Sequence, residues 1–319
     1  TGQGITISNG CEPKKNVLRC LFGWKRTIIP GMDFMRFMVL SSGSRGNCCI
    51  LIHEHQGIIL DLGIGPRTLE SSLKNHHLDL SRIRAAVISH THGDHWHEKS
   101  LQLLLKHRIK LFVHATHEDQ LLRESKNFRL LKQWGCVAVY CPTRDFSPLD
   151  GWDWTAHEIS HDSEKTFGFR IRLNTGHASY QVGYLADLGT WDEHLADEFH
   201  DLDLLALEFN HDENLQRNSS RPGFLIERIM GNQGHLSNHQ AALFLRHLGN
   251  ANALPRHLLQ VHLSEQCNTM EHARQAAKAI LEHHRAPTEI HTAHGRKALP
   301  VIDLFQRDLF SCTKELGGY

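Results

Sequence analysis

The sequence predicts an α/β protein in which two packed β-sheets lie between outer layers of helices. Short apolar runs of strand length alternate with amphipathic segments of helical period along most of the 319 residues. The order begins as a β-meander and then alternates strand with helix in both halves, which is typical of a layered sandwich. With 40% hydrophobic and 22% charged residues, the chain can form a large core.

The first half of the chain opens with the meander. Runs rich in Ile, Val, Leu and Phe, bounded by turn residues, are typical of strands. Strands are predicted at 34–40, 49–53, 57–61, 85–89, 110–114 and 137–140. Apolar residues that recur every three or four positions indicate helices. They predict helices at 65–75, 98–107 and 117–125.

The second half repeats the alternation. Strands are predicted at 154–160, 167–173, 180–186, 204–209, 257–262 and 289–291. Helices are predicted at 190–199, 237–248 and 269–284. In the helix that begins at Ser237, the residues Ala241, Leu245 and Leu248 fall on one face, and the serine hydroxyl is placed to cap the first turn.

The ends of the chain and its cysteines set the expected organisation. Residues 1–31 follow neither period, so we expect a poorly ordered N-terminal extension and then a single domain over 32–319. No apolar run approaches the roughly 20 residues of a membrane span, and no secretory signal is recognisable. The eight cysteines have no Cys-x-x-Cys spacing, which favours reduced thiols in a cytoplasmic protein.

Charge and histidine content limit what composition alone can say. The 35 basic and 35 acidic side chains give a formal net charge of zero. Nucleic-acid-binding proteins usually carry a basic excess, so composition argues modestly against a nucleic-acid substrate. Histidine is unusually frequent, at 27 residues. An individual histidine is therefore weak evidence for a site, and spacing must decide.

Four potential metal ligands are concentrated in the run His90-x-His92-x-Asp94-His95, which directly follows a predicted buried strand. A strand that ends in a tight turn can present His90 and His92 to one ion, and Asp94 and His95 to a second ion nearby. Imidazole nitrogen and carboxylate oxygen suit zinc or manganese. A polar loop in a histidine-rich chain is the alternative, and this dense spacing after a strand argues against it.

Further ligands are predicted where other apolar runs end. His161, Asp187 and His262 each stand at the carboxyl end of a predicted strand, where loops gather into sites. A carboxylate such as Asp187 can bridge two ions, and such a pair would hold a hydroxide poised to attack an electrophile. The sequence therefore predicts a site for two divalent ions, zinc or manganese.

These motifs resemble those of the metallo-β-lactamase superfamily. Asp61 matches an aspartate of that superfamily that orients the histidine loop. The resemblance implies an αββα four-layer sandwich of the metallo-β-lactamase type. The implied ligands are His90, His92 and His161 for one ion and Asp94, His95 and His262 for the other, bridged by Asp187.

Five separated motifs, in the same order along the chain, narrow the resemblance to the YycJ/WalJ branch of the superfamily. They lie at 42–47, 161–163, 208–212, 234–238 and 262–264. Members of that branch are described as metal-dependent 5′–3′ exonucleases acting on DNA. The resemblance covers about residues 34–300 and leaves residues 1–31 without a counterpart.

The late motifs imply a proton donor. The YycJ-like proteins and the tRNA-processing endonucleases of the superfamily carry a glutamate after a strand and then a histidine before a helix, which here are Glu208 and His235. The resemblance implies that Glu208 orients His235, which protonates the leaving oxygen. Asp94, His235 and Glu208 are thus the expected catalytic residues. The alternatives are that His235 only bonds to backbone at the start of the helix, and that Glu208 is a core carboxylate with a structural partner.

Other branches of the superfamily fit less well. Thioester hydrolases and lactonases carry two glycines shortly after the Asp-His pair, where this chain has the residues 96–98, Trp-His-Glu. Flavin-linked oxygen-reducing members replace the second histidine of the opening motif with glutamate, whereas here it is His92. The chain between Asp187 and His235 is too short for the large inserted cap of some RNA-processing members.

The leading hypothesis is a two-metal phosphodiesterase, specifically a 5′–3′ DNA exonuclease that uses a metal-bridging hydroxide. DNA would be its partner, with Arg45, Arg217 and Arg221 as candidate phosphate contacts. One alternative keeps the fold and metals but takes a small phosphodiester or ester, which the neutral charge favours. Another is a catalytically silent scaffold, which the complete ligand set opposes. The identity of the metal and the oligomeric state stay open.

Overall fold

A computed structural model describes residues 34–295 and 300–305 of the chain. The prediction of a poorly ordered extension at 1–31 lies outside those residues. Over the described ranges, no helix is long and apolar enough to cross a membrane.

The described strands and helices follow the predicted alternation closely. The strands are β1 (Phe34–Ser41), β2 (Cys48–His53), β3 (Gln56–Leu60), β4 (Ile83–Val87), β5 (Lys110–His114), β6 (Val137–Tyr140), β7 (Trp152–Ile159), β8 (Thr166–Asn174), β9 (Ser179–Leu185), β10 (Leu204–Glu208), β11 (His257–Val261), β12 (Glu289–Thr292) and β13 (Val301–Phe305). The helices are α1 (Pro66–Asn75), α2 (Glu98–His107), α3 (Ala115–Glu124), α4 (Lys126–Gln133), α5 (Glu193–Glu198), α6 (Glu213–Arg217), α7 (Gly223–Met230), α8 (Asn238–Asn250) and α9 (Met270–His283).

The strands form two mixed sheets. The first has the order β13-β1-β2-β3-β4-β5-β6, and the second has the order β12-β11-β10-β9-β8-β7. In the first sheet the strands from β3 to β6 are parallel, and in the second sheet those from β9 to β12 are parallel. Because parallel strands end at the same edge of a sheet, the loops that follow β4, β9, β10 and β11 can meet.

Three apolar clusters hold the layers together. One lies between the two sheets, one lies under α1 to α4, and one lies under α5, α8 and α9. In β1, Met35, Phe37 and Val39 face the first cluster, while Met38 and Leu40 face the second. A strand buried on both faces reads as a continuous apolar run, which is why the sequence pattern identifies it. The predicted αββα four-layer sandwich is confirmed.

Strand β4 ends two residues earlier than predicted, at Val87 instead of Ser89. The backbone N–H of Ser89 donates to the Oδ1 of Asp61 (2.8 Å) rather than to a neighbouring strand. Because Ser89 bonds to the side chain of Asp61 instead of to a strand, the chain leaves the sheet directly before the histidine run.

Some elements lack a clear signature in the sequence. Strand β13 was not predicted, because Asp303 interrupts its apolar pattern. In the structure the Nε of Arg36 in β1 pairs with the Oδ1 of Asp303 at 2.6 Å. Apolar spacing also does not reveal helix α4. It predicts a helix that ends at Ser125, whereas the Oγ of Ser125 accepts from the N–H of Phe128 (2.9 Å) and starts a new helix. Helices α6 and α7 are short and carry little buried apolar surface.

Candidate metal centre

The predicted ligands meet at one edge of the sandwich. The loop at 90–95 follows β4 of the first sheet, and His161, Asp187 and His262 follow β7, β9 and β11 of the second sheet. Glu208 is the last residue of β10, between β9 and β11. The antiparallel pairing of β7 with β8 and of β8 with β9 gives β7 and β9 the same direction. Both sheets therefore deliver side chains to the same place.

One group of ligands is formed by His90, His92 and His161, whose ligand atoms lie within 4.8 Å of one another. The Nε2 of His161 lies 3.2 Å from the Nδ1 of His92. The ring of His90 lies 4.8 Å from that of His92 and 5.3 Å from that of His161, between centroids. Ligand nitrogens around a tetrahedral zinc ion are separated by roughly 3.3 Å. This group can therefore hold one divalent ion.

A second group is formed by Asp94, His95, Asp187 and His262. The Oδ2 of Asp187 lies 2.9 Å from the Nε2 of His95, and its Oδ1 lies 3.5 Å from the Nε2 of His262. The Oδ2 of Asp94 lies 3.6 Å from the same His262 nitrogen. The Oδ1 of Asp187 is also 3.6 Å from the Nε2 of His161 in the first group. Asp187 thus lies between the two groups, as a bridging ligand must.

Four of these imidazoles use one ring nitrogen for a protein partner, which leaves the other nitrogen facing the centre. This arrangement is usual around bound metals, because the outer partner fixes the ring and its tautomer. The partners are Ser89 Oγ for His90 (3.1 Å), Asp61 Oδ2 for His95 (2.8 Å), the Gly234 carbonyl for His161 (3.0 Å) and Glu208 Oε1 for His262 (2.8 Å).

Three buried polar atoms at the centre have no hydrogen-bond partner among the described residues. They are the Nε2 atoms of His90 and His262 and the Oδ2 of Asp187, which approaches the Nε2 of His95 at 2.9 Å without the geometry of a hydrogen bond. A buried polar atom without a partner costs on the order of 1–3 kcal/mol, so several such atoms together are unusual unless something else binds them. A divalent cation satisfies imidazole and carboxylate lone pairs at once. The residues of the centre therefore fit metal ions.

The charge states of Asp187 and His90 agree with that fit, whereas His95 and His262 must lose a proton to metal. Burial lowers the pKa of both rings, but the carboxylates around them outweigh it and raise the pKa well above its usual value. Burial favours a protonated Asp187, but His262 and His95 outweigh it and hold the pKa of this carboxyl well below its usual value. Burial lowers the pKa of His90 well below its usual value, so this ring is neutral near pH 7. A carboxylate and a neutral imidazole are the forms that bind metal.

Backbone strain is concentrated at the same strand ends. Asp61, Asp187 and His262 have φ values of 59°, 55° and 57°, in the left-handed region that non-glycine residues seldom occupy. Each of these residues costs on the order of 1–2 kcal/mol. The turn aims each side chain back towards the edge of the sheets, so the strain positions the functional groups.

Asp61 fixes the histidine loop from below, as the resemblance implied. Its carboxylate accepts from the N–H of Ser89 (2.8 Å), from the Nδ1 of His95 (2.8 Å) and from the hydroxyl of Tyr184 (3.1 Å). Tyr184 belongs to β9 of the second sheet, and sequence analysis missed it. A tyrosine in a strand carries no signal that it reaches an aspartate on the opposite sheet.

The loop at 42–47 supports the centre from one side. Its Asn47 accepts from the N–H of Gly43 (2.8 Å) and donates through Nδ2 to the Oδ2 of Asp94 (3.1 Å). The Oγ of Ser42 accepts from the backbone N–H of His262 (2.8 Å). The sequence marks this loop as a motif but does not reveal the contacts of Ser42 and Asn47, because their partners are distant in the sequence.

Glu208 and His235 lie beside the second group. The Oε1 of Glu208 lies 2.9 Å from the Nδ1 of His235 and 2.8 Å from the Nδ1 of His262. Its Oε2 accepts from the N–H of Leu188 (2.8 Å). Glu208 is wholly buried, whereas the side chain of His235 is 20% exposed. Glu208 can therefore orient both rings but cannot touch a substrate, and only His235 is accessible.

The pKa values of this pair follow from their contact. Burial favours neutral Glu208, but His235 and His262 outweigh it and lower the pKa of the carboxyl to about 2. Burial favours a neutral ring in His235, but the Glu208 carboxylate outweighs it and raises the pKa of His235. A histidine with a raised pKa carries a proton that it can give to a leaving oxygen.

Asp162 lies at the rim of the first group, and no role was assigned to it from the sequence. Its Oδ1 is 3.4 Å from the Nε2 of His161 and 3.8 Å from the Nε2 of His92, and its other oxygen pairs with Arg228. The sequence does contain a signal for this contact, because Asp162 carries a carboxylate and directly follows the predicted ligand His161.

A separate cluster of possible ligands lies where β11 and β12 begin, at the opposite end of these strands from the centre. His257, Glu289 and His291 meet there, with the Nδ1 of His257 3.2 Å from the Nε2 of His291. Arg45, one of the candidate phosphate contacts, pairs with Glu265. The cluster of His257, Glu289 and His291 shares no residue with the ligand groups of the centre.

A buried cluster of histidines and carboxylates at the strand ends of an αββα sandwich defines a class of metal-dependent hydrolases. Residues 58–258 match the family model described as the beta-lactamase superfamily domain. This match spans more than half of the chain, and the chain belongs to that superfamily. It is a metallo-β-lactamase-fold hydrolase whose ligand groups fit divalent metal.

Two similar proteins are described as exodeoxyribonucleases. The chain is 25% identical to the exodeoxyribonuclease WalJ of Streptococcus pneumoniae over 237 residues, which cover 74% of this chain and 84% of the relative. It is 22% identical to the exodeoxyribonuclease YycJ of Bacillus anthracis over 248 residues, which cover 78% and 89%. The relatives of this hydrolase thus include nucleases.

Solved structures share the fold. The metallo-beta-lactamase fold protein YhfI from Bacillus subtilis superposes with a TM-score of 0.61 at 16% identity, over 85% of this chain and 100% of that protein. At this identity the likeness concerns the fold alone. It agrees with the four-layer sandwich described above.

Proposed function

We propose that this protein is a 5′–3′ DNA exonuclease that cleaves phosphodiesters with two bound divalent ions. The observation that carries the proposal is the placement of His235 beside the ligand groups, with its Nδ1 2.9 Å from the buried Glu208. Phosphodiester cleavage needs a proton for the departing sugar oxygen, and this pair supplies one next to the centre. The names of the two curated relatives support a DNA substrate.

In this proposal the seven ligands divide as the resemblance implies. His90, His92 and His161 would hold one ion, and Asp94, His95 and His262 the other, with Asp187 shared. When bound, divalent ions activate water and neutralise charge that develops on phosphoryl oxygens. The protein fixes the positions of the ligands through the outer hydrogen bonds of its histidines.

The chain itself moves one proton in this proposal. The Nδ1–H of His235 donates to Glu208, so the proton available to substrate is carried at Nε2. Glu208 holds the ring in this orientation and stabilises its protonated form. His235 then gives the Nε2 proton to the leaving oxygen, and Glu208 acts as a positioning residue.

The test uses purified protein, manganese or zinc, and DNA labelled at either end. We expect rapid release of labelled mononucleotide from a 5′ label and slow loss of a 3′ label. D94A removes a ligand and should abolish cleavage with little change in folding, measured by circular dichroism. Release from the 3′ end first would contradict the polarity. Inactivity on every nucleic acid, with turnover of a lactone or thioester, would overturn the substrate class.

A small phosphodiester or ester is the second candidate substrate, and the formal net charge of zero favours it. The two candidates differ in their response to salt. Each phosphate neutralised by the protein releases counterions, so DNA binding weakens steeply as salt rises. A KM that does not change between low and high salt would favour the small substrate.

A further inference from the structure

The chain between β10 and His235 forms one wall of the centre. Helix α7 is attached there at its carboxyl end: the N–H of His235 donates to the carbonyl of Ile229 (2.9 Å), and Arg228 pairs with Asp162 at the rim. At the opposite end of α7, residues 222–224 are exposed and Arg221 contacts the loop that follows His262. We call residues 221–224 the lip.

The lip carries a cation with neutral partners. Arg221 donates from Nε to Gln266 Oε1 (3.0 Å), from Nη1 to Gln216 Oε1 (3.1 Å) and from Nη2 to Ser264 Oγ (3.3 Å). Within the described ranges no carboxylate is paired with it. Ser264 stands two residues after the ligand His262, so the guanidinium is held near the centre with its charge uncompensated. Such a site favours an anionic ligand.

The lip also presents an aromatic ring to solvent. Phe224, in the first turn of α7, is 73% exposed, and α7 buries none of its residues. An exposed ring three positions along the chain from a cation that has no carboxylate partner in the described ranges resembles the pairing found in single-strand binding sites, where phosphates meet basic groups and bases stack on aromatic faces. Because only two residues separate them along the chain, Arg221 and Phe224 can contact neighbouring parts of one nucleic-acid strand.

We propose that the lip binds the single-stranded end of a nucleic acid, with Arg221 on a phosphate and the ring of Phe224 under an unpaired base. The proposal rests on the nuclease function above and narrows its substrate. A base inside a duplex is already stacked on both faces, so an exposed phenyl ring favours an unpaired strand. A strand bound at the lip would then lead towards His235 and the ligand groups.

The experiment measures binding of the metal-loaded protein to a fluorescent single-stranded oligonucleotide protected by phosphorothioate linkages, by anisotropy at several salt concentrations. F224A should weaken binding roughly 5- to 150-fold with little change in the salt slope, because stacking carries no charge. F224W should restore binding. R221Q should weaken binding and reduce the logarithmic salt slope by about 0.7, the value for one phosphate on a single strand.

Two exposed residues away from the centre serve as matched controls. W134A removes a ring that is 62% exposed beside Arg108, and R172Q removes a surface arginine paired with Asp153. Both should bind the oligonucleotide as the parent does. F224A should bind blunt duplex DNA as the parent does, since the duplex offers no free base.

Three results would contradict the proposal that the lip binds a single strand. These are unchanged single-strand binding in both F224A and R221Q, failure of F224W to restore binding, and a change in oligomeric state of F224A that accounts for its loss. If instead the proposed nuclease function were wrong, the experiment would give a different result. The parent would then bind the protected oligonucleotide through the lip and still leave the unprotected one intact.

Discussion

A single carboxylate oxygen serves two histidines beside the metal centre. The Oε1 of Glu208 lies within 2.9 Å of the Nδ1 atoms of both His235 and His262, and both rings belong to a group of possible ligands with Asp187. In the proposed function, His262 binds metal and His235 faces the substrate. The two roles can be separated by substitution, because His235 is partly exposed and His262 is buried.

H235A should lower kcat about 10²- to 10⁴-fold, the usual contribution of a general acid. The change removes a partly exposed ring and should leave the metal content per chain as in the parent. Kinetics and metal analysis by mass spectrometry check both. A variant that loses an ion would show that His235 is a ligand, since its nitrogen lies in a group with Asp187, Glu208 and His262.

E208Q should affect both histidines at once. The carboxylate that fixes His262 becomes a neutral amide, and such changes outside the ligand shell typically weaken metal binding about 10- to 100-fold. The pH profile should shift as well, because the protonated form of His235 loses its charged partner. Competition with a chelator and the pH dependence of kcat measure the two effects. Metal affinity equal to that of the parent would contradict the orienting role.

His117 should make stability depend on pH independently of the metal. It is buried, donates through Nε2 to the carbonyl of Lys165 (2.9 Å), and burial lowers its pKa from 6.5 to about 4. The unfolded chain then binds more protons between pH 6.5 and 4. About 3 kcal/mol of stability, present above pH 6.5, is lost as the pH falls to about 4.

The measurement for His117 compares urea unfolding of the metal-free parent and H117Q at pH 7 and pH 4. Glutamine keeps a donor for Lys165 but has no proton to gain. The difference in free energy of unfolding between parent and variant should therefore fall by about 3 kcal/mol over this interval. A constant difference would mean that the buried ring is not neutral.

The loops at the strand ends depend on backbone contacts that few residues permit. Gly63, after β3, lies so close to the histidine loop that a Cβ there would be 1.7 Å from the carbonyl of Asp94. Gly93, inside the histidine loop, has nothing within 4 Å of a Cβ. There is therefore no room for a side chain at Gly63, whereas there is room for one at Gly93.

G63A should displace the loop that carries Asp94 and reduce both metal content and activity, because the carbonyl must move by more than an ångström. G93A, its matched control, should keep both near the parent values. Metal analysis and a thermal unfolding curve distinguish the two variants. Equal behaviour of G63A and G93A would contradict the close approach.

Periodicity predicted most of the strands and helices, and it failed where a side chain ends an element. Ser125 separates α3 from α4 by capping the second helix, and Asp192 starts α5 at Glu193 instead of 190 by accepting from Leu195 (2.8 Å). Apolar spacing records which face is buried. It does not record where a polar side chain replaces a backbone hydrogen bond.

The ligand groups join the two halves of the sandwich. The loop at 90–95 comes from the first sheet, and His161, Asp187 and His262 come from the second. Ions bound between them would act as a link between the sheets at their open edge. Binding to the native state alone adds stability in proportion to the logarithm of free metal over Kd.

Removal of metal with a chelator should therefore lower the thermal midpoint, and added zinc or manganese should restore it. At a free metal concentration a hundred times Kd, one site contributes about 2.7 kcal/mol. Calorimetry of stripped and reloaded protein measures the change. D94A is the control and should respond less. An identical midpoint with and without metal would contradict ion binding across the two sheets.

The amino-acid sequence was sufficient for the four-layer fold and for the residues that come together at the centre, because strand periodicity and dense histidine spacing are local properties. The distances that join His161, Asp187 and His262 to the histidine loop, the sharing of Glu208, and the supports Tyr184, Ser42 and Asn47 depended on the folded chain. These contacts join residues far apart in the sequence, and such pairings arise only when parallel strand ends from two sheets pack against each other.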